Sequence, residues 1–72
     1  MNEKQMIEDL IRDENEAINK YSEYAKTMLP HNKNISNLFT SIKNEEVKHL
    51  KKLENLAEKA NILIGTIGRI IK

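Results

Sequence analysis

Apolar residues recur at alternating intervals of three and four positions in two stretches of this chain, and this spacing restricts the fold more than any other feature. The stripe in the first stretch comprises Ile7, Leu10, Glu14, Ala17, Tyr21, Tyr24 and Met28. A further column beside the stripe comprises Ile11, Ile18 and Ala25. This period places the residues on one side of an α-helix that packs in a bundle. Pro30 ends the pattern, because the residue before a proline is disfavoured in the helical conformation.

The second stretch repeats the pattern after a short link at roughly residues 30–34. Its stripe comprises Ile35, Phe39, Ile42, Glu46, His49, Leu53, Leu56, Ala60 and Leu63, flanked by Leu38, Val47, Leu50 and Ala57. Asn2 is a candidate N-cap for the first helix, and Asn32 or Asn34 for the second, which we expect to end near Asn61 or Gly65. Because the link is short, residues 1–61 are predicted to form an all-α antiparallel hairpin.

A single hairpin leaves much of its apolar surface in water. Two helices of roughly 40 Å share one line of contact and cannot enclose a core. We therefore expect a homodimer in which two hairpins form a four-helix bundle, with twofold symmetry as the simplest arrangement.

Composition excludes several classes of site and partner. The chain of 72 residues has no cysteine, so it offers neither thiolate metal ligands nor a disulfide framework. The net charge is only +1, which argues against a nucleic-acid partner. The opening residues MNEKQMIEDL are too charged for a signal peptide, and no apolar run approaches the roughly 18 residues of a membrane span. We expect a cytoplasmic protein without stable membrane insertion.

Three ionisable residues interrupt the two stripes: Glu14, Glu46 and His49. Glu46 and His49 are three positions apart and so lie on one side of the second helix. In a hairpin that turns near residue 31, position 14 is level with about position 48, so Glu14 faces the other two. A carboxylate buried between two helices destabilises the fold unless it is paired, hydrogen-bonded or bound to metal.

A symmetric dimer doubles these residues to four carboxylates and two imidazoles. Ferritin-like bundles bind two iron or manganese ions with this ligand set, one Glu from each of two helices and Glu-x-x-His from each of the other two. The sequence therefore predicts two Fe ions per dimer, with Mn as an alternative. A different interpretation stays open, in which the polar residues only fix the register of a helical adaptor or dimerisation module.

The segments ENEAINKYSEYA (14–25) and NEEVKH (44–49) resemble the rubrerythrin and encapsulated-ferritin branch of the ferritin-like superfamily. The shared pattern is a Glu, an Ala three later and a Tyr seven later in the first helix, followed by Glu-x-x-His about thirty residues on. The positions that match it are Glu14, Ala17, Tyr21, Glu46 and His49. The resemblance extends over about residues 6–58 and implies that Glu14, Glu46 and His49 are catalytic iron ligands.

Encapsulated ferritins, which the chain resembles better, are single hairpins that build the di-iron site between two chains. The resemblance implies a ferroxidase that oxidises Fe(II) for storage or detoxification and that assembles into rings of dimers, although a clear third helix is missing. Rubrerythrins carry both halves of the bundle in one chain and usually a cysteine-rich electron-donating domain. A rubrerythrin-like peroxidase with an external electron donor is therefore the alternative.

Other residues near the stripes have two interpretations each. Tyr21 is two turns from Glu14 and either bonds a ligand from another helix or is a core residue. Asp13, Glu16 and Glu45 either form an entry path for cations or lie on solvated helix surfaces.

Residues 62–72, ILIGTIGRIIK, form an apolar tail with no acidic residue. Its segment LIGTIGR resembles the peptide that loads cargo into encapsulin shells, on the positions Ile64, Gly65, Thr66 and Ile67. An extended peptide of this kind would place alternate aliphatic side chains in pockets of the shell protein. The resemblance implies an encapsulin partner and a location inside its compartment. The alternatives are a tail folded back on the bundle or a weak contact with a membrane surface.

Overall fold

Two helices make up the computed structural model, which describes residues 2–59. Helix α1 spans Glu3–Met28 and helix α2 spans Lys33–Lys59, and the helices pack against each other as an antiparallel hairpin. The prediction of an all-α hairpin is confirmed. The predicted helix end near Asn61 or Gly65, the domain boundary at 61/62 and the tail 62–72 lie outside the described residues.

Side-chain caps fix the starts of both helices. The Asn2 side chain accepts a hydrogen bond from Gln5 N at 2.9 Å, and the Gln5 side chain accepts one from Asn2 N at 3.0 Å. This reciprocal pair satisfies amide groups that have no partner within the helix. Asn32 caps α2 by accepting a hydrogen bond from Ile35 N at 3.1 Å. Between the helices, Asn32 N donates to Met28 O at 2.7 Å, so the chain reverses within a few residues.

The contact between the helices follows mainly the column beside the predicted stripe, with Ile7 and Leu53 as the stripe residues that take part in it. The buried core consists of Ile7, Ile11, Leu50 and Ala57, with Ile18 and Leu53 packed against it. Ile11 and Ala57 are 1% and 0% exposed, whereas Leu10 is 49% exposed. Each helix therefore has one column inside the hairpin and a second apolar column to one side of it.

This second column forms a surface that we call the apolar face. Its half-exposed large members are Met6, Leu10, Tyr24, Leu38 and Leu56, with exposures between 47% and 56%. Positions seven apart share one side of a helix, which aligns Leu10 with Tyr24 on α1 and His49 with Leu56 on α2. Exposed apolar residues grouped in this way are typical of an interaction surface. In the part of the chain described, no helix is sufficiently long and apolar to cross a bilayer.

One buried hydroxyl joins the two helices near the link. Ser36 is 5% exposed, and its Oγ donates a hydrogen bond to Ala25 O at 2.7 Å. Ala25 O also accepts a bond from Leu29 N, so it keeps a partner when the hydroxyl is removed. We expect Ser36→Ala to lower the free energy of unfolding by about 1 kcal/mol, measured by urea unfolding. Ser41→Ala, the same change at an exposed position of α2, is the control, and equal effects of the two changes would contradict the prediction.

Candidate metal centre

Glu14 of α1 meets Glu46 and His49 of α2 midway along the hairpin. His49 Nδ1 lies 3.3 Å from Glu46 Oε1 and 3.8 Å from Glu14 Oε2. One ligand atom from each residue can be chosen so that all three lie within 4.8 Å of one another. We call these residues the ligand triad. The helix register thus brings together the three ionisable residues that the sequence placed on the stripes.

The ligand triad lies at the border between the buried contact and the apolar face. The side chains of Glu14 and Glu46 are 21% and 22% exposed, whereas that of His49 is 52% exposed. The carboxylates are thus held between the helices, and the imidazole lies at the outer edge with Nδ1 towards them. One side of the site is built by the hairpin, and the other side is open on the apolar face.

The carboxylate of Glu14 has an oxygen without a partner. Its Oε2 atom is buried and makes no hydrogen bond, and the 3.8 Å to His49 Nδ1 exceeds hydrogen-bond length. A buried acceptor without a donor destabilises a protein, and a cation at this position would remove that cost. The donor set of two carboxylates and one imidazole suits iron and manganese, so the residues present fit such an ion.

Burial raises the pKa of the Glu14 carboxyl above its ordinary 4.5, the neighbouring Glu46 raises it further, and His49 opposes both. A carboxyl whose pKa is higher in the folded than in the unfolded state favours folding below its unfolded pKa, and this contribution is lost as the pH rises through the folded pKa. The ionised Glu14 therefore destabilises the metal-free hairpin at neutral pH.

Glu14→Gln is expected to raise the free energy of unfolding of the metal-free protein at pH 7. The gain should diminish as the pH falls towards 4.5, where the wild-type carboxyl becomes protonated. Urea unfolding at several pH values in the presence of a chelator measures it. Glu16→Gln, on the exposed surface of the same helix, is the control. A Glu14→Gln protein less stable than wild type at pH 7 would contradict the prediction.

Tyr21 belongs to an aromatic cluster between the ligand triad and the link. Its ring centroid lies 6.0 Å from that of Phe39, with 53° between the planes, and Tyr24 lies 6.4 Å from the same ring. Such tilted pairs are favourable aromatic contacts. The cluster supports the core interpretation of Tyr21 within one hairpin, and a bond from Tyr21 to a ligand of a second chain stays a prediction.

The three acidic residues considered as an entry path do not lie together. Asp13 and Glu16 border a shallow depression on α1 together with Ala17, Lys20, Tyr21 and Tyr24. Glu45 is exposed on α2 and pairs with Lys48 at 3.5 Å. The depression brings Asp13 and Glu16 beside the apolar face, whereas Glu45 makes a local surface pair. Their role in cation entry stays a prediction.

Sequence reasoning did not single out Glu54, whose Oε2 atom is also buried without a partner. Burial raises the pKa of its carboxyl, and Lys51 acts in the opposite direction. Glu54 follows the buried Leu50 by four residues and so lies on the same side of α2, which is the sequence feature that could have identified it. Within residues 2–59, Glu54 joins no group of three candidate ligands, because Glu14, Glu46 and His49 form the group found there.

The family assignment rests on a match that covers most of the chain. The sequence model of the family Rubrerythrin matches residues 5–67, which include all of α2, α1 from its third residue onwards and the whole ligand triad. The chain belongs to the rubrerythrin family. The resemblance to this ferritin-like family is confirmed, and the two helices correspond to half of a four-helix bundle.

No curated protein and no solved structure matches the chain significantly. Rubrerythrin-family proteins bind iron, which agrees with the chemistry of the ligand triad in this rubrerythrin-family hairpin.

Proposed function

We propose that this rubrerythrin-family chain is a ferroxidase that oxidises Fe(II) to Fe(III) at a di-iron centre formed between two copies. The observation that carries the proposal is the convergence of Glu14, Glu46 and His49 within 4.8 Å, beside a buried carboxylate oxygen that lacks a partner. The family match over residues 5–67 supports iron as the metal, and manganese is the alternative.

A second copy is part of the proposal because one hairpin supplies only half of the expected ligands. Two carboxylates and one imidazole are half of the set of a di-iron bundle. The open side of the ligand triad coincides with the apolar face, where Leu10 and Leu56 are 49% and 47% exposed. A second hairpin on this face would bury those residues and place its own triad opposite the first. Association of such dimers into rings is a further part of the proposal.

The residues of the chain have distinct tasks in this site. The carboxylates of Glu14 and Glu46 bind the cations and balance their charge, and Glu14 Oε2 gains the partner that it lacks. His49 offers Nδ1, which faces both carboxylates. Once a second hairpin covers the open side, the apolar residues of both faces would exclude water and so strengthen the electrostatic interactions. Bound iron supplies the redox chemistry, since two Fe(II) provide the two electrons that reduce O2 or peroxide.

Titration of the metal-free protein with Fe(II) tests the proposal. We expect two Fe bound per dimer, with oxygen consumed faster than in buffer alone. Diffraction data at the iron absorption edge should place the anomalous peaks between the Glu14, Glu46 and His49 side chains of two chains. Oxidation no faster than the buffer background would refute the ferroxidase.

A rubrerythrin-like peroxidase is the second candidate, favoured by the family match. The 72 residues contain no cysteine, so an electron-donating thiolate iron site would have to lie outside them. A reduced protein that reacts much faster with hydrogen peroxide than with O2 would favour this activity. A non-catalytic adaptor differs from both, since it should purify without metal and its association should be insensitive to chelators.

Packaging in an encapsulin shell completes the proposal, and it rests on the sequence of residues 62–72. Deletion of these residues is expected to abolish co-purification with a co-expressed shell protein while Fe(II) oxidation is retained, because a targeting peptide acts apart from the metal site. A variant with both Ile64 and Ile67 changed to Ser should have the same effect, since the aliphatic side chains would fill the shell pockets. Unchanged co-purification of the deletion variant would refute the packaging.

A further inference from the structure

We propose that residues 62–72 dock on the depression of α1 in the single chain, and that the docked tail competes with a second hairpin for the apolar face. The residues that line the depression are Asp13, Glu16, Ala17, Lys20, Tyr21 and Tyr24. Tyr24 belongs to both surfaces, so an occupant of the depression covers part of the apolar face. The inference rests on the proposed pairing of two copies and does not involve the metal centre.

The depression forms where a small residue of α1 lies among larger ones. Ala17 is four positions from Asp13 on one side and from Tyr21 on the other, so all three lie together on the helix surface. The short side chain of Ala17 leaves a hole of the kind that accepts an aliphatic side chain from a neighbouring segment. The volume of about 370 Å³ far exceeds the space that one water molecule needs. The depression therefore fits several side chains of a peptide segment.

The charges of the depression and of the tail are complementary. Neither Asp13 nor Glu16 takes part in the ion pairs found in the described part of the chain, so each can pair with a basic group of another segment. The tail has two basic residues, Arg69 and Lys72, and no acidic one. Exposed ion pairs contribute little stability. They would therefore select the side of the hairpin on which the tail docks, while aliphatic contacts hold it there.

The tail is long enough to reach the depression. Helix α2 ends at Lys59, which is level with about position 3 of α1. Ala17 lies about fourteen residues further along α1, or roughly 21 Å at 1.5 Å per residue. An extended chain covers about 3.3 Å per residue, so roughly seven residues bridge this distance. Residues 60–66 would thus suffice as the linker, and Ile67 and Ile71, which share one side of an extended chain, would lie at the hole beside Ala17.

A tethered segment inhibits pairing even when its own affinity is modest. A short linker gives the tail an effective concentration in the millimolar range. The docked tail would cover Tyr24, which is 49% exposed and which a second hairpin would otherwise bury. If the tail is docked in about two thirds of single chains, the dissociation constant of the pair rises roughly ninefold, because both chains must release their tails. A shell protein that binds the tail would free the depression and favour pairing.

Paramagnetic broadening in NMR tests the docking on the full, metal-free chain, at concentrations where sedimentation shows it to be single. Thr66→Cys provides a unique attachment site for a nitroxide, since the 72 residues contain no cysteine. This change leaves the basic and aliphatic residues of the tail in place. We expect the amide signals of Glu16, Ala17 and Lys20 to be broadened. Absence of this broadening would overturn the docking.

Charge reversal distinguishes specific docking from random contact. Asp13→Lys/Glu16→Lys should remove the broadening, because the depression then repels the basic tail. Adding Arg69→Glu/Lys72→Glu to the same chain should restore it, and circular dichroism verifies the helices of each variant. Broadening that is unaffected by the reversal would contradict the proposal. So would broadening that arises only when spin-labelled chains are mixed with isotope-labelled ones, since the tail would then bind a second copy.

Deletion of residues 62–72 tests the competition with pairing. Sedimentation velocity of the metal-free deletion variant should give a dissociation constant of the pair at least about fivefold below that of the full chain. Ile67→Ser/Ile71→Ser should have the same effect, and it serves as the docking-deficient variant if the charge-reversed chain loses its helices. A deletion variant that pairs no more tightly than the full chain would overturn the autoinhibition. All these measurements are made without metal, so their failure leaves the Fe(II) titration that tests the ferroxidase unaffected.

Discussion

Changing Glu46 and His49 together to alanine is expected to reduce Fe(II) oxidation at least about 100-fold. Loss of groups that only support metal ligands costs roughly 10- to 100-fold in affinity or activity, so loss of two direct ligands should cost at least as much. The remaining Glu14 would leave one carboxylate per chain, too few to hold two cations. Oxygen consumption after addition of Fe(II), together with bound iron measured by elemental analysis, gives the result.

The matched control for this variant is Glu58→Ala/His31→Ala. It removes the same two residue types from positions that are exposed and outside the ligand triad. We expect this control to oxidise Fe(II) within about twofold of wild type, because surface changes have small effects. Equal activity of the triad variant and the control would refute the assignment of Glu46 and His49 as ligands.

Placing two charges on the apolar face is expected to separate the pair and to abolish rapid Fe(II) oxidation. Leu38 and Leu56 are 56% and 47% exposed, so Leu38→Lys/Leu56→Lys should leave the interior of the hairpin unchanged. Burying each lysine in an interface costs several kcal/mol, which corresponds to an increase of at least about 100-fold in the dissociation constant. Sedimentation velocity at several protein concentrations, beside the oxygen-consumption assay, measures both effects.

The control for this experiment is Leu29→Lys/Asn55→Lys. Leu29 is 57% exposed at the end of α1, and Asn55 is exposed on α2 outside the apolar face. The control adds the same charge and is expected to pair and to oxidise Fe(II) as wild type does. A Leu38→Lys/Leu56→Lys protein that remains paired and active would show that the second copy binds elsewhere.

The interface prediction differs from the triad prediction in what the variant leaves intact. The triad variant should still pair, because it keeps the exposed side chains of the apolar face. The Leu38→Lys/Leu56→Lys variant should keep the three ligands in each chain. Loss of oxidation in both variants by these separate routes is expected only if the centre needs ligands from two paired chains.

The helix ends could be predicted from local rules, and so could the position of Glu14 opposite Glu46 and His49. Asn2 and Asn32 have the side chains that cap helices, and both do so. Pro30 required an end to α1, which the structure places at Met28. The short link then fixed the register, so that Glu14 is level with Glu46 and His49. Each of these features depends on the chemistry of a few neighbouring residues.

The sequence by itself thus determined two helices, their antiparallel connection and the three residues that meet between them. Only the tertiary structure decided which apolar column is buried: Ile11 and Leu50 are covered, and Leu10 and Leu56 are half exposed. A helix with two adjacent apolar columns can pack along either, since both have the same period. Which column is buried depends on how all the side chains of the two helices pack together. The packing that the structure adopts leaves Glu14 Oε2 buried without a partner at the edge of the exposed column.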